Sequence, residues 1–278
     1  MNTQLRVPCA YQGGKQRIAK QIVDVLLSLD HNENTVFYDL CCGSGAISIE
    51  LVNRGIKPSQ IVMVDLSSWA AFWSAIGNST FDMDEFQRLL SEIPADKHDV
   101  KEHMTCLSSL LVLDHEAEIY PILQACSFGG KQIWYDGTQW VNAFFRDYWE
   151  PTATSVRRSP ANPMQPSPHE LERRVHALAA NMRGVTCFRA DVMTMTKCPI
   201  PSNSVVYVDP PYRGTTGYAF GFDVLQFANA FRMNSTAPLF ISEGQPLHPD
   251  SIRLSFGGAK GGISGNKTSK HQEWLSRF

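Results

Sequence analysis

Long apolar runs are missing from this sequence of 278 residues. The longest extends from Trp69 to Ile76, well short of the roughly 18–20 residues that a membrane-spanning helix needs. No basic segment followed by an apolar one stands near the start, so we expect neither secretion nor a membrane location. Seven cysteines without paired spacing and eight scattered histidines predict reduced thiols and no metal site. These absences favour a cytoplasmic protein.

A strong net charge is missing as well, but the charge is unevenly distributed. Residues 1–150 contain 11 basic and 19 acidic side chains, for a net charge of −8. Residues 151–278 contain 14 basic and 8 acidic side chains, for a net charge of +6. Because phosphate binding depends on the local charge of a face, the overall value of −2 leaves a nucleic-acid partner open.

The first 65 residues predict the repeating unit of a parallel α/β sheet. Apolar residues at helical spacing predict a helix over 16–29, and a β-branched and aromatic run predicts a strand over 35–40. A glycine-rich turn over 41–45 leads to a predicted helix over 46–53. A second buried strand is predicted over 61–65, which completes the strand–loop–helix–strand order.

The middle of the chain has a different pattern. Residues 82–118 contain ten acidic and three basic side chains and predict solvated helices. Asp136-Gly137 predicts a two-residue turn between short strands at 131–135 and 138–142. Proline and serine at 155–168 predict an exposed loop before a helix at 169–182.

Strands predicted over 185–191, 204–208 and 238–242 resume the α/β pattern. We therefore expect a sheet domain formed by 1–75 and 181–278. A mostly helical insert with a β-hairpin is expected at 76–180.

The tetrapeptide Asp209-Pro210-Pro211-Tyr212 directly follows a predicted buried strand. Ligands of open parallel sheets bind at the carboxyl ends of strands, where this tetrapeptide lies. The prolines stiffen the turn and leave their carbonyls free to accept, Asp209 adds an acceptor, and Tyr212 offers a flat face. The group suits an amino group on an aromatic ring. A Pro-Pro turn that ends a strand, with Asp209 as a local cap, is the structural alternative.

Three other segments carry candidate cofactor residues. Asp39-Leu40-Cys41-Cys42-Gly43-Ser44-Gly45 resembles the cofactor loop of S-adenosylmethionine methyltransferases, with an acid for the cofactor's ammonium. Asp65 and Asp191 each end a predicted strand; one could accept from ribose hydroxyls and the other from an adenine amine, or both could be caps. Tyr11-Gln12-Gly13-Gly14-Lys15 is either a simple turn before a helix or a further cofactor segment.

In this order, these motifs resemble the Dam-type DNA adenine-N6 methyltransferases of the alpha group, in which the target-recognition region precedes the catalytic motif. Gly262 to Asn266 and Glu273-Trp274-Leu275 resemble the closing segment of that family, so the resemblance spans nearly the whole chain. It implies a Rossmann-like methyltransferase sheet, the cofactor S-adenosyl-L-methionine, double-stranded DNA as partner and transfer to adenine N6 by base flipping. It also implies a bacterial or phage-infected cytoplasm and a restriction-modification or phage setting.

The resemblance also implies roles for single residues. Asp209 and the Pro210 carbonyl would accept from the target amine, with Pro211 stiffening the turn and Tyr212 stacking on the extruded adenine. The implied cofactor residues are Tyr11, Gly13, Lys15, Asp39, Gly43, Gly45, Asp65, Asp191 and Asp209.

Contacts to DNA are predicted from residue type. Hairpin side chains are candidates for base edges, and arginines of the exposed loop are candidates for phosphates. These are Lys131, Gln132, Gln139 and Asn142, with Arg157 and Arg158. Further phosphate candidates are Arg173, Arg174, Lys260, Lys267 and Lys270. The alternative is that these side chains are simply solvated.

Three segments depart from the family pattern. Asp39-Leu40-Cys41 replaces Glu-Pro-Phe, Ser67 stands where an Asn is frequent, and Trp140 to Phe145 lacks the usual hairpin tract. The sequence thus supports the methyl-transfer site but not the family's usual four-base target. Methylation of RNA adenine or of cytosine N4, and a non-catalytic partner that binds DNA or cofactor, remain alternatives.

Overall fold

A seven-stranded sheet forms the centre of the computed structural model, which describes residues 4–110, 114–212, 221–254 and 273–278. Its strands are β1 (Phe37–Leu40), β2 (Ile61–Asp65), β5 (Thr186–Arg189), β6 (Val205–Val208), β7 (Leu239–Glu243), β8 (Ile252–Leu254) and β9 (Glu273–Arg277). The spatial order is β5-β2-β1-β6-β7-β9-β8. The first five strands are parallel, and β9 runs antiparallel to both of its neighbours. This is a mostly parallel, Rossmann-like α/β sheet, so the predicted fold class is confirmed.

Eight helices lie in the described residues. They are α1 (Ala19–Leu26), α2 (Ala46–Asn53), α3 (Trp69–Asn78), α4 (Met83–Ser91), α5 (Val100–Ser109), α6 (Glu116–Cys126), α7 (Pro168–Asn181) and α8 (Val224–Asn234). Short 3₁₀ helices cover Pro58–Gln60, Phe128–Gly130 and Val192–Lys197. A separate two-stranded hairpin pairs β3 (Trp134–Tyr135) with β4 (Trp140–Val141). No helix of the described residues is long and apolar enough to cross a membrane.

Side-chain alternation along the strands divides the core into two layers. Val205 and Tyr207 of β6 face the apolar cluster that also contains α1, α2 and α3. Val206 and Val208 face the opposite cluster, which α8 covers. Because successive strand residues point to opposite faces, a fully apolar strand such as β6 is buried on both sides.

The insert packs against the first of these layers. Buried side chains of α4, α6 and α7, such as Phe86, Tyr120 and Leu171, belong to the same cluster as Phe37 of the sheet. The insert therefore shares its apolar core with the sheet. Its predicted role in target recognition stays a prediction.

Several local predictions need correction. The connection of the hairpin has four residues, because Tyr135 pairs with Trp140, and Asp136 stabilises it by accepting from the backbone N–H groups of Thr138 and Gln139. Helix α6 is buried from Ala117 to Cys126, although its first residues lie in the stretch predicted to be solvated. The loop over 155–168 is exposed only in part, since Ala161 and Met164 are buried.

Candidate active site

The start of the tetrapeptide is fixed to the neighbouring strand. The backbone N–H of Asp209 donates to the carbonyl of Leu40, the last residue of β1, at 3.0 Å. Since β1 and β6 are parallel neighbours, the glycine loop after β1 and the tetrapeptide after β6 meet at the carboxyl edge of the sheet. Pro210 is buried, the Asp209 side chain is 17% exposed, and Pro211 and Tyr212 are partly buried. The residues that were predicted to hold the methyl donor and the target thus lie side by side.

Lys15 lies at the centre of the site. Its side chain is only 7% exposed, and its Nζ lies 2.6 Å from Asp209 Oδ1. The same ammonium donates to the Gly13 carbonyl at 3.0 Å and lies 4.7 Å from the centre of the Tyr212 ring. It is also 3.7 Å from Glu273 Oε1. A buried charge is stable only when paired, and here one cation is shared between two carboxylates.

Glu273 is a site residue that the sequence did not identify. It is the first residue of β9, and because β9 runs antiparallel, its start lies at the carboxyl edge of the parallel strands. Its carboxylate accepts a hydrogen bond from the Tyr212 hydroxyl. Glu273 was noted only as part of a closing segment, which gave no signal for a role in the site.

Burial determines the proton affinities of the site. It raises the pKa of Asp209 to about 6, against the opposing effect of Lys15 and with the Glu273 charge adding to the rise. Burial also raises the pKa of Glu273. The pKa of the Tyr212 phenol lies well above its usual value, again mainly because the group is buried and then because Asp209 and Glu273 are close. The Tyr212 hydroxyl therefore stays protonated and donates a hydrogen bond to Glu273.

The glycine loop after β1 is held by contacts within the protein. Gly43 has φ +49°, and an added Cβ would lie 2.9 Å from the Tyr11 ring. Gly45 has φ +73°, and an added Cβ would lie 2.3 Å from the Trp73 ring. Tyr11 therefore packs on the loop, with its edge also toward Trp69 at a centroid distance of 5.6 Å. A narrow cleft lies here, lined by Tyr11, Gly13, Lys15, Asp39, Gly43, Tyr207 and Asp209 among others.

The acids at the strand ends have different local roles. Asp65 accepts from the Gly43 backbone N–H at 2.8 Å, and from both the backbone N–H and the hydroxyl of Ser67. Ser67, the departure from the family pattern, thus orients Asp65. Asp39 accepts from the backbone and hydroxyl of Ser48, and burial raises its pKa to about 7. Their contacts to a cofactor stay predictions.

Asp191 is exposed and lies beyond β5. Its Oδ1 accepts from the Met193 backbone N–H at 2.8 Å and caps the following 3₁₀ helix. The capping role proposed as an alternative is therefore present in the structure, and a contact to the cofactor's adenine stays a prediction.

The residues predicted to contact DNA differ in how exposed their side chains are. Lys131 and Gln139 are exposed, whereas Gln132 is only 6% exposed, and its contact with a base edge stays a prediction. Asn142 donates its side-chain amide to the Gln132 carbonyl at 2.7 Å, which orients the amide inside the hairpin. Arg157 and Arg158 are exposed and donate to carbonyls of their own loop.

Two further arginines are held by Glu170. Arg173 and Arg174 both form ion pairs with its carboxylate, so they are less available to phosphates than predicted. Lys260, Lys267, Lys270 and the segment Gly262 to Asn266 lie outside the described residues. In the part of the chain that the structure describes, no group of three or more His, Cys, Asp or Glu side chains could hold a metal ion.

Comparison with known proteins gives a distant likeness only. No protein-family model and no curated protein matches the chain. Two solved structures of the rRNA methyltransferase AviRa from Streptomyces viridochromogenes are similar to it. One is 14% identical over 100% of this chain and 90% of that chain, with a TM-score of 0.41. The other is 13% identical over 94% and 84%, with a TM-score of 0.40. The sheet order, rather than these values, supports the fold, and the function is inferred from the site.

Proposed function

We propose that this chain transfers a methyl group from S-adenosyl-L-methionine to adenine N6 in double-stranded DNA, after the base is flipped out of the helix. The observation that carries the proposal is the position of Asp209-Pro210-Pro211-Tyr212 at the carboxyl end of β6, hydrogen-bonded to the end of β1 beside the glycine loop. The Asp209 carboxylate and the Pro210 carbonyl, proposed as acceptors for the amine, lie there beside the narrow cleft proposed for the methyl donor.

The residues of the cleft fit the proposed cofactor by their chemistry. S-adenosylmethionine carries an ammonium, a sulfonium and two ribose hydroxyls, which all favour carboxylate partners. Asp39 and Asp209 line the cleft beside Gly43, and Asp65 accepts from the Gly43 backbone N–H next to it. When bound, this cofactor supplies an electrophilic methyl group.

The chain's own residues would activate the target amine by position and charge. Adenine N6 is a weak nucleophile because its lone pair is delocalised into the ring. Hydrogen bonds from N6–H to Asp209 and to the Pro210 carbonyl would localise that pair toward the donor. Flipping a base costs a few kcal/mol, and stacking on the Tyr212 ring would return about 1–3 kcal/mol. Asp209 must exchange its contact with Lys15 for the incoming amine.

The insert supports a large substrate. The Gln12 backbone N–H donates to the Gly130 carbonyl at 2.8 Å, which joins the segment of Tyr11 and Lys15 to the insert just before the hairpin. The next residue, Lys131, is exposed, so a positive charge lies close to the site edge. The choice of DNA as the polymer and of adenine as the base rests on the motif resemblance, as does the restriction-modification or phage setting.

One experiment tests the proposal directly. The protein is incubated with methyl-labelled S-adenosylmethionine and, in separate arms, duplex DNA, single-stranded DNA and RNA. The polymers are then digested to nucleosides. We expect labelled N6-methyladenine from duplex DNA. A product found only in RNA would contradict the assignment of DNA as the substrate. N4-methylcytosine in place of N6-methyladenine would contradict the assignment of adenine as the target base. No product in any arm would refute methyl transfer.

Substitution of Asp209 provides the site control. Asp209→Asn keeps the shape of the side chain but removes the charged acceptor, so transfer is expected to fall on the order of 10²–10³-fold. Asp24→Asn makes the same change on the exposed face of α1, where Asp24 pairs with Arg54, and should leave transfer unchanged. Equal activity of Asp209→Asn and Asp24→Asn would show that Asp209 has no role in transfer.

A further inference from the structure

Glu273 is buried at the base of the candidate site and contacts two of its residues. Its side chain is 4% exposed. It accepts from the Tyr212 hydroxyl and lies 3.7 Å from the ammonium of Lys15. The carboxylate also accepts a side-chain hydrogen bond from Ser242 of β7, which holds it beside these two partners. Lys15 contacts Asp209, and Tyr212 is the ring proposed to stack on the target base.

The orientation of the Tyr212 ring depends on a small number of contacts. An added Cβ on Gly244 would lie 3.5 Å from the ring, so one edge packs on the backbone after β7. Lys15 lies over the ring face, and Glu273 holds the hydroxyl at its far end. Hydrogen bonds to an ionised acceptor are roughly twice as strong as neutral ones, so the contact with Glu273 is the directional one. The hydroxyl also contacts Asp209, so loss of the Glu273 bond would let the ring tilt toward Asp209.

We propose that Glu273 is a positioning residue, which fixes the plane of the Tyr212 ring for stacking and shares Lys15 with Asp209. This inference rests on the proposed function. Glu273 acts through Tyr212 and Lys15 and does not itself contact the reacting atoms. When the target amine takes the place of Lys15 at Asp209, Glu273 remains as the second anion that keeps the ammonium in the site. Transfer depends on geometry, because a misplacement of about 1 Å can reduce a rate by as much as about 10²-fold.

A double-mutant cycle separates this role from a general effect on folding. Glu273→Ala and Tyr212→Phe are each expected to lower the single-turnover rate by about 10–100-fold, because each frees the ring plane. The double variant should be slower than Glu273→Ala by less than the full Tyr212→Phe factor. Both changes remove the hydrogen bond between Tyr212 and Glu273, and each also removes one other contact, to Lys15 or to Asp209. Glu273→Gln keeps an acceptor for the phenol and should lie between wild type and Glu273→Ala. Independent, multiplying losses would overturn the proposal.

A matched control is available in the insert. Glu118 is also buried, at 3% exposure, and accepts from the Asp82 backbone N–H far from the tetrapeptide. Glu118→Ala therefore removes a buried, hydrogen-bonded carboxylate without touching Tyr212. It should lower thermal stability but leave the single-turnover rate of the folded protein unchanged. If Glu118→Ala slowed transfer as much as Glu273→Ala, the effect would be structural, and the positioning role would be wrong.

A spectroscopic readout makes the proposal independent of enzyme activity. Tyrosine labelled at Cζ reports hydrogen bonding of the phenol by NMR, and Tyr212→Phe identifies the Tyr212 resonance by its loss. Glu273→Ala should shift this resonance, and Glu118→Ala should not. An unmoved resonance in Glu273→Ala overturns the inference even if the protein is a methyltransferase. If the resonance shifts but wild type methylates no polymer, the proposed function fails while the contact that orients Tyr212 stands.

Discussion

At the scale of single residues, the main feature of the site is one buried cation that two carboxylates share. Lys15 is the ammonium between Asp209 and Glu273, and all three side chains are at least four-fifths buried. Burial favours the neutral form of an acid, and a nearby cation favours the ionised form. For Asp209 burial outweighs the charge of Lys15, which raises its pKa to about 6. An acceptor for an amine must be ionised, so this balance sets the pH range in which Asp209 can act.

The first prediction concerns that pH range. The single-turnover rate should be highest above pH 6 and should fall about tenfold for each pH unit below the pKa of Asp209. The reason is that a protonated carboxyl group lacks the negative charge that strengthens the hydrogen bond from the adenine N6–H. A rate profile from pH 5 to pH 9 measures the midpoint. Lys15→Met removes the cation that favours ionisation, so the midpoint of its residual activity should move upward. A flat profile, or a midpoint that Lys15→Met leaves in place, would show that Asp209 does not control the rate.

Residue types at strand ends were predictable from the sequence, but their partners were not. Asp39, Asp65, Asp191 and Asp209 each follow a run of strand-forming residues, and the carboxyl ends of parallel strands are where ligands bind. Their partners depend on contacts between distant parts of the chain. Glu273 reaches Lys15 and Tyr212 because β9 runs back beside β7, and Lys15 reaches Asp209 from the segment before α1. Neither spacing nor composition carries that information.

At the scale of elements, the turn from β1 into α2 depends on a glycine that lies against another helix. Gly45 combines a positive φ with an indole ring of α3 at close range, and Trp73 Nε1 also donates to the Gly43 carbonyl at 3.0 Å. Two contacts with Trp73 therefore hold the loop against α3, the packing at Gly45 and the hydrogen bond to Gly43. Any side chain at Gly45 would separate the loop from α3 and change the shape of the cleft.

The second prediction isolates this contact with two glycines. Gly55 also has a positive φ, of +92°, but nothing lies within 4 Å of an added Cβ there. Gly55→Ala should therefore cost about 1 kcal/mol of unfolding free energy, from backbone strain alone. Gly45→Ala adds overpacking against Trp73 and should cost about 2–4 kcal/mol. Denaturant unfolding of both variants measures the difference. If both lose the same unfolding free energy, the Trp73 ring moves aside without destabilising the protein.

The sequence predicted elements best where their pattern is local. Helix α2 and strand β2 have their expected bounds, because a glycine turn and an apolar run mark them clearly. Helix α6 is a case in which the local pattern misleads, since its acidic first residues predict a solvated helix. Glu118 is nevertheless buried, where it accepts from the Asp82 backbone N–H before α4. Tertiary contacts decided its burial, and a sequence pattern cannot show them.

At the scale of the whole molecule, the insert and the sheet form one surface around the site. Their apolar cores are continuous, and the hydrogen bond from Gln12 to Gly130 joins them at the site edge. Lys131 follows at that edge, while Lys57 is exposed before β2, at the opposite, amino edge of the sheet. The small net charge of −2 therefore says little about which edge would meet a polyanion.

The third prediction uses these two lysines to find the nucleic-acid face. A lysine that neutralises one phosphate contributes about −0.9 to the slope of log affinity against log salt concentration. Lys131→Ala should weaken binding to duplex DNA and reduce the steepness of that slope by about this amount, whatever the base sequence. Lys57→Ala removes the same charge from the amino edge and should leave the slope unchanged. Fluorescence anisotropy over about 50–200 mM salt measures both. If Lys57→Ala changed the slope and Lys131→Ala did not, the nucleic acid would bind away from the tetrapeptide, which base flipping into this site forbids.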